Sequence, residues 1–272
     1  MINLGIAGLG GWGKNLVKSV QGKSDAVRFT VAATRTPAEI ADFCSDHDIR
    51  LSDDLSIVLE DPTVDGVVVA GPAQLHAEVA IAALEAGKHV MVIKPLALFR
   101  KDAEGLRRAA EYRGLVLAMG HDRCFLPAVD ELRNRVKAGG LGRIIHAEGD
   151  FCVDRYFDLS NTVTVSMRFA GGASGSLTAL GVTPVFHRLH LFGTEGWAEI
   201  RNNRRFEFRP LKGEGTVTEF PAFDALKRQL ESFAAAITGD APFPVSPDDA
   251  MAGVAALEAM GRSAQSGRIE TV

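Results

Sequence analysis

The chain has 272 residues, 46% hydrophobic and 24% charged, with a formal net charge of −4. That length fits one large domain or two ordinary ones with a real core, and the mild negative balance speaks against a nucleic-acid surface. No apolar run reaches membrane-spanning length and the N-terminus carries no signal-peptide pattern, while Cys44, Cys124 and Cys152 form neither a CxxC pair nor an even framework, so reduced thiols in a cytoplasmic protein are expected.

In the first half strands and helices alternate. "MINLGIAG" is a short apolar run ending in glycine, a buried strand. Trp12, Leu16, Val17 and Val20 then recur at helical spacing over Gly11 to Val20. A second strand is expected over Val27 to Thr34. A helix follows, with Thr36 as N-cap, Pro37 at the first helical position and Glu39 closing a capping box. Val64 to Gly71 is a third strand, Ala73 to Ala86 a helix stopped by Gly87, and "KHVMVIKP" a fourth strand ending at Pro95. Lys101 to Tyr112 is helical and "GLVLAMGH" a fifth strand. Unbroken apolar strands separated by amphipathic helices indicate a doubly wound parallel sheet covered on both faces.

The second half changes character. A helix over Phe125 to Ala138 stops at Gly139 and Gly140. Seven strand-like runs follow, from "RIIHAEGDFCV" to "TVTEFP", many alternating with period two. They suit an open, mostly antiparallel sheet. The basic cluster Arg201, Arg204 and Arg205 fits a polar turn between two of these strands better than a nucleic-acid patch. Helices over Phe223 to Ile237 and Asp248 to Ser266 close the chain. The expected organisation is a Rossmann domain over 1–121 and an α+β domain over 122–272 for substrate binding and oligomerisation.

The stretch "GIAGLGGWG" carries a GxGxxG pattern between a strand and a helix, the context that a dinucleotide loop needs. Gly8 permits the tight turn, Gly10 lets backbone N–H groups approach a pyrophosphate, and Gly13 allows close helix–strand packing. The loop from Gly8 through Gly10, Gly11, Trp12 and Gly13 would hold the pyrophosphate at a helix N-terminus. An NAD site usually has a carboxylate at the end of the second strand. Here stand Thr34, Arg35 and Thr36. Two hydroxyls and a guanidinium suit a 2′-phosphate, so NADP is preferred over NAD. No cluster has metal-ligand spacing.

These motifs, with "HVMVIKPLAL", "LHAEVAIAALEAGKHV", "GHDRCFLPAVDELRNRVKAGGLGRIIHAEGDF" and "LFGTEGWAEI", resemble the Gfo/Idh/MocA oxidoreductases (glucose–fructose oxidoreductase, inositol dehydrogenase and relatives) over nearly the whole chain. The resemblance implies a Rossmann domain and a second domain whose open sheet builds a homo-oligomer, a dimer or tetramer. In that family the fourth strand ends Glu-Lys-Pro; Ile93, Lys94 and Pro95 match it. The resemblance places Lys94 beside the nicotinamide and the substrate hydroxyl, as catalytic residue, and implies a cis Pro95. It puts Pro72 and His76 at the cofactor and His121, Asp122 and Arg123 along the substrate cleft.

Two departures stand out. Ile93 replaces the carboxylate. The family's Asp-x-x-x-His pair occurs nowhere in the sequence, as if several dozen residues were missing around Tyr156 to Ser160. His187 and His190, three apart on a strand, must point to opposite faces and form no dyad. His146 is a candidate substitute, and Asp150 and Asp154 are candidate carboxylates. The expected function is hydride transfer between a nicotinamide and a small carbonyl or alcohol: a sugar, polyol or cyclic diol. The alternative is a catalytically inert NADP-binding homologue with a sensing or assembly role.

Overall fold

The computed structural model describes residues 1–154 and 162–272. The stretch around Tyr156 to Ser160, with the expected missing segment, lies outside the described residues. The chain divides into two compact units, Met1–Asp122 together with Asp224–Val272, and Arg123–Phe223.

The first unit is built on a parallel sheet. Its elements run β1 (Ile2–Ala7), α1 (Gly11–Val20), β2 (Val27–Ala33), α2 (Ala41–Asp46), β3 (Arg50–Ser52), α3 (Ser56–Leu59), β4 (Gly66–Val69), α4 (His76–Glu85), β5 (His89–Ile93), α5 (Arg100–Arg113) and β6 (Leu117–Gly120). The strand order is β3-β2-β1-β4-β5-β6, all pairs parallel. This is the doubly wound order whose reversal, between β1 and β4, opens a crevice at the strand C-termini. The sixth strand, β3, is three residues long, too short for its pattern to show in the sequence. The Thr36 capping box does not form. Pro37–Ile40 is a 3-10 turn, and the Glu39 N–H donates to the Thr36 carbonyl at 3.2 Å, so the amide that a capping hydroxyl would take is already used.

The second unit starts with α6 (Pro127–Lys137) and continues as β7 (Ile144–Asp154), β8 (Thr162–Arg168), β9 (Ser174–Leu180), β10 (Val182–Gly193), β11 (Gly196–Arg201), β12 (Arg205–Pro210) and β13 (Thr216–Glu219). The sheet order is β13-β12-β11-β10-β7-β9-β8. Every pair is antiparallel except β7–β9. Asn202 and Asn203, both in the left-handed region, make the turn between β11 and β12, so the arginine cluster does flank a hairpin. Period-two alternation puts Ala198, Ile200, Phe206 and Phe208 on one face, where they pack with Ala128 and Leu132 of α6. The other face carries a charged ladder: Arg188 pairs with Glu148 at 2.8 Å and Asp150 at 2.7 Å, and Arg201 with Glu199 at 2.7 Å.

Helices α7 (Ala225–Thr238) and α8 (Pro247–Ser266) belong to the first unit, not to a continuous C-terminal domain 122–272. The reason is burial. Leu230 and Phe233 of α7 join Leu4, Ile6, Leu16 and Phe29 in one core cluster, while Ala250 and Val254 of α8 join Leu84, Val92 and Leu106 in the other. The two clusters lie on opposite faces of the parallel sheet, so both helices complete its covering. Each starts on a side-chain cap: Asp224 accepts from the Lys227 N–H and Ser246 from the Asp249 N–H.

Candidate functional site

A cavity of about 850 Å³ opens at the C-terminal ends of β1, β2, β3 and β4. Gly8, Gly10 and Gly11 line it from the first loop, Thr34, Arg35 and Thr36 from the end of β2, and Gly71 and Pro72 from the end of β4. The three glycines do different work. A Cβ on Gly8, whose φ is +101°, would fall 2.6 Å from the Gly71 nitrogen. One on Gly13 would fall 2.3 Å from the Gly8 carbonyl oxygen. Both are backbone clashes, so these glycines let the loop and α1 close against the sheet. A Cβ on Gly10 would meet nothing within 4 Å, and Gly10 lines the cavity. Its missing side chain leaves open the space in front of α1.

Gly10 is also the N-cap of α1 and supplies no side-chain cap. The first-turn N–H groups of a helix have no partner within the helix, and here the helix begins at Gly11, which lines the cavity, an arrangement that suits an anion. The fit to a dinucleotide therefore rests on three things: the crevice, the uncapped helix start and the open space at Gly10. Trp12 and Gly13 do not line the cavity; Trp12 packs partly buried against the core.

Arg35, at the end of β2, is exposed and makes no side-chain hydrogen bond or ion pair among the described residues. Three charged lining residues, Lys14, Glu39 and Asp53, escaped sequence reasoning. Lys14 follows Gly13 and lies one helical turn beyond Gly10, a spacing that could have flagged it; its ammonium sits 5.6 Å from the Phe43 ring centre. Glu39 stands in the 3-10 turn. Asp53 follows the short β3, which pairs with β2 through Ala33 and Ser52. The cavity mouth thus carries two cations and two carboxylates.

Lys94 follows β5, the neighbour of β4, at the same C-terminal edge. Its side chain is exposed and makes no hydrogen bond or ion pair among the described residues; its backbone N–H donates to the Gly120 carbonyl at 3.0 Å. The Lys94–Pro95 peptide is cis. Neither residue lines the cavity itself. His76 is not placed to touch a cofactor. It is buried, 1% exposed, with Nδ1 2.7 Å from the Pro95 carbonyl oxygen and Nε2 3.0 Å from that of Gly71. A carbonyl oxygen covers each ring nitrogen, so the ring has no edge left for a ligand.

His121 stands just past β6, at the edge of the first unit. Arg123 belongs to the second unit. Its guanidinium donates to Asn203 Oδ1 at 2.6 Å and to His187 Nε2 at 3.0 Å, and lies 4.9 Å from the Phe151 ring centre. The expected opposite facing of His187 and His190 holds: His190 is buried on the charged face, stacked on Phe192 and against Trp197. Burial pushes the His190 pKa below the ordinary value, and Glu199 opposes the shift. His146 shares that face, with Nδ1 2.7 Å from Ser174 Oγ. Asp150 is engaged by Arg188 and Asp154 is exposed at the end of β7. Among the described residues no group of three or more His, Cys, Asp or Glu could hold a metal ion, and no helix is long and apolar enough to cross a membrane.

Residues 2–121 match the family described as "Oxidoreductase family, NAD-binding Rossmann fold" (GFO_IDH_MocA). The chain is 34% identical over 141 residues to 4-carboxy-2-hydroxymuconate-6-semialdehyde dehydrogenase of a Sphingobium strain, covering 52% of this chain and 44% of that one. It is 28% identical over 203 residues to scyllo-inositol 2-dehydrogenase (NADP(+)) IolU of Bacillus subtilis, covering 73% and 61%. The chain spans about half the length of the curated relatives it matches. In fold it is similar to UDP-N-acetylglucosamine 3-dehydrogenase GnnA of Acidithiobacillus ferrooxidans, with a TM-score of 0.84 at 20% identity over 94% of this chain and 95% of that one.

Proposed function

Starting from the match of residues 2–121 to the Gfo/Idh/MocA oxidoreductases, we propose an NADP-preferring enzyme that moves hydride between the nicotinamide and a small carbonyl or alcohol. The observation that carries this is the crevice. Gly8, Gly10 and Gly11 and the uncapped start of α1 suit a pyrophosphate, and Thr34, Arg35 and Thr36 stand where the adenosine ribose would end. The bound nicotinamide would supply or accept the hydride. Lys94, an unpaired ammonium one strand away from β4, would donate a hydrogen bond or proton to the substrate oxygen.

NADP is favoured because Arg35 directly follows Thr34 at the strand end and has no side-chain partner among the described residues, with Lys14 as a second cation at the same cavity. Asp53 and Glu39 work against the preference. The substrate class, a sugar, polyol or cyclic diol, follows the names of the relatives, among them an inositol and a xylose dehydrogenase. A homo-oligomer, dimer or tetramer, is supported by exposed Ile145, Phe151, Val163 and Leu189 on the strands of the second unit. The buried thiols of Cys44 and Cys152, neither of them in a disulfide, fit a cytoplasmic, reducing compartment.

A second reading has its own support. The sequence holds no Asp-x-x-x-His, and Ile93 gives Lys94 no carboxylate neighbour. An inert NADP-binding homologue would carry both features. The test is NADPH oxidation across a panel of ketoses, inososes and diketones. Turnover on any member supports the enzyme. Saturable NADPH binding without oxidation on the whole panel supports the inert protein.

A further inference from the structure

We propose that His76 is a positioning residue that couples the floor of the cofactor crevice to Lys94. The proposal rests on the reading that the crevice takes a dinucleotide and that Lys94 acts beside it. The β4–β5 ladder ends at the Val69–Val92 pair. Past that pair the two chains run on into loops, one to Gly71 and Pro72 at the cavity, the other to Lys94 and Pro95. The His76 ring fills the gap, with Nε2 3.0 Å from the Gly71 carbonyl oxygen and Nδ1 2.7 Å from that of Pro95.

A continuous line of contact follows. Gly8 packs so closely on Gly71 that a Cβ there would fall 2.6 Å from the Gly71 nitrogen. Gly71 is held by one edge of His76 and Pro95 by the other, and Pro95 is bonded to Lys94. From the other side the Lys94 N–H is tied to Gly120 at 3.0 Å. A dinucleotide seated on Gly8 and Gly71 therefore presses on a loop whose next partner is the turn that carries Lys94. The ring is buried with a carbonyl oxygen at each nitrogen; a neutral ring donates its one N–H to one of them and packs against the other, so it spans both loops. Without it, the part-buried carbonyl that accepts the ring N–H loses its partner and the other loses its packing neighbour, and an unmatched carbonyl is costly.

The test is amide hydrogen exchange on the full chain with and without NADPH, in the wild type and in His76→Leu, which keeps apolar bulk but cannot donate. In the wild type, NADPH should slow exchange in both Gly71–Leu75 and Lys94–Ala97. Ligand-free His76→Leu should exchange about tenfold faster in these two segments, the scale of one lost buried hydrogen bond, with β1 and β2 unchanged. NADPH should then protect Gly71–Leu75 in the variant and leave Lys94–Ala97 at its ligand-free rate. A purely structural histidine would instead raise exchange throughout the unit and leave the joint protection intact. Joint protection surviving in the variant, or protection absent from Lys94–Ala97 in the wild type, overturns the proposal. If the wild type binds no dinucleotide, the cofactor reading fails on its own. The ligand-free rates then decide: a rise confined to the two segments supports the strap, and unchanged rates overturn it. Should the Leu variant not fold, His76→Gln, whose single amide nitrogen sits on a differently shaped side chain and serves one loop at a time, is compared in the same way; an exchange pattern equal to wild type in one segment and faster in the other supports the strap, and no change in either overturns it.

Discussion

Replacing Gly10 by Val separates the binding role of the glycine loop from its packing role. Gly10 has φ −68° and ψ −168°, an extended conformation open to any residue, and a Cβ there meets nothing within 4 Å. The variant should fold, with a stability change below about 1 kcal/mol, the scale of an N-cap substitution. Its isopropyl group would stand in the space before the first N–H groups of α1. If these receive a pyrophosphate, two or more charge-assisted hydrogen bonds are lost. At roughly 1.5–3 kcal/mol each, the loss is about 3 kcal/mol or more, around a hundredfold in Kd. Gly13→Ala is the control with the opposite profile. Its Cβ would fall 2.3 Å from the Gly8 carbonyl oxygen, which is backbone and cannot swing aside. Overpacking of this kind costs about 1–3 kcal/mol and lowers Tm by several degrees. Calorimetric titration with NADPH and thermal melts read both. A folded Gly10→Val protein with wild-type NADPH affinity would refute the placement of the phosphate.

Arg35→Ala should weaken NADPH binding by about 1.5–3 kcal/mol, the worth of a hydrogen bond to a charged group, and leave NADH nearly unchanged. Equal affinity of the wild type for both cofactors would end that assignment. Lys94→Met should lower turnover by about 10²–10⁴-fold, the usual range of acid–base assistance, with Tm nearly constant, since the ammonium is exposed and unpaired; unchanged turnover would move the proton source elsewhere. Stability should also fall on acidification through the histidine range. His89 and His190 both have pKa values depressed first by burial, with Asp65 and Glu199 respectively opposing. The His89 Nδ1 accepts the Val116 N–H at 2.9 Å, a bond that protonation there would break. The unfolded chain therefore takes up protons first, below about pH 6.5, so the stability present above that pH is lost as pH falls toward the folded values. His190→Phe should flatten the Tm profile in this window, and a profile as steep as the wild type's would contradict the cause given.

Much of the first unit was legible because its signals are local. Apolar runs at β1, β2, β4 and β5 and the spacing of glycines around α1 need no long-range information, and the crevice gathers Gly8, Gly10, Gly11, Thr34, Arg35, Thr36 and Pro72 as expected. What failed was tertiary. Helices α7 and α8 read as part of the second domain because sequence order hides which sheet their apolar faces meet. Asp53 was invisible because β3 is three residues long and shows no pattern. His76 read as a cofactor contact because a histidine at a helix start looks available. Only its burial shows that two carbonyl groups already claim it. The alternation of β7 and β10 was clear in the sequence, but not which side α6 would cover, so the charged ladder of Arg188, Glu148 and Asp150 could not be read from it.

The central claim is that this chain moves hydride, and isotope transfer tests it most directly. NADPH deuterated at C4, on each face in turn, is incubated with the wild-type protein and a carbonyl panel of ketoses and inososes, and the products are read by mass spectrometry. The account predicts deuterium in a product from one face only, with transfer lost in Lys94→Met. Saturable NADPH binding with no deuterium in any product from either face would contradict it.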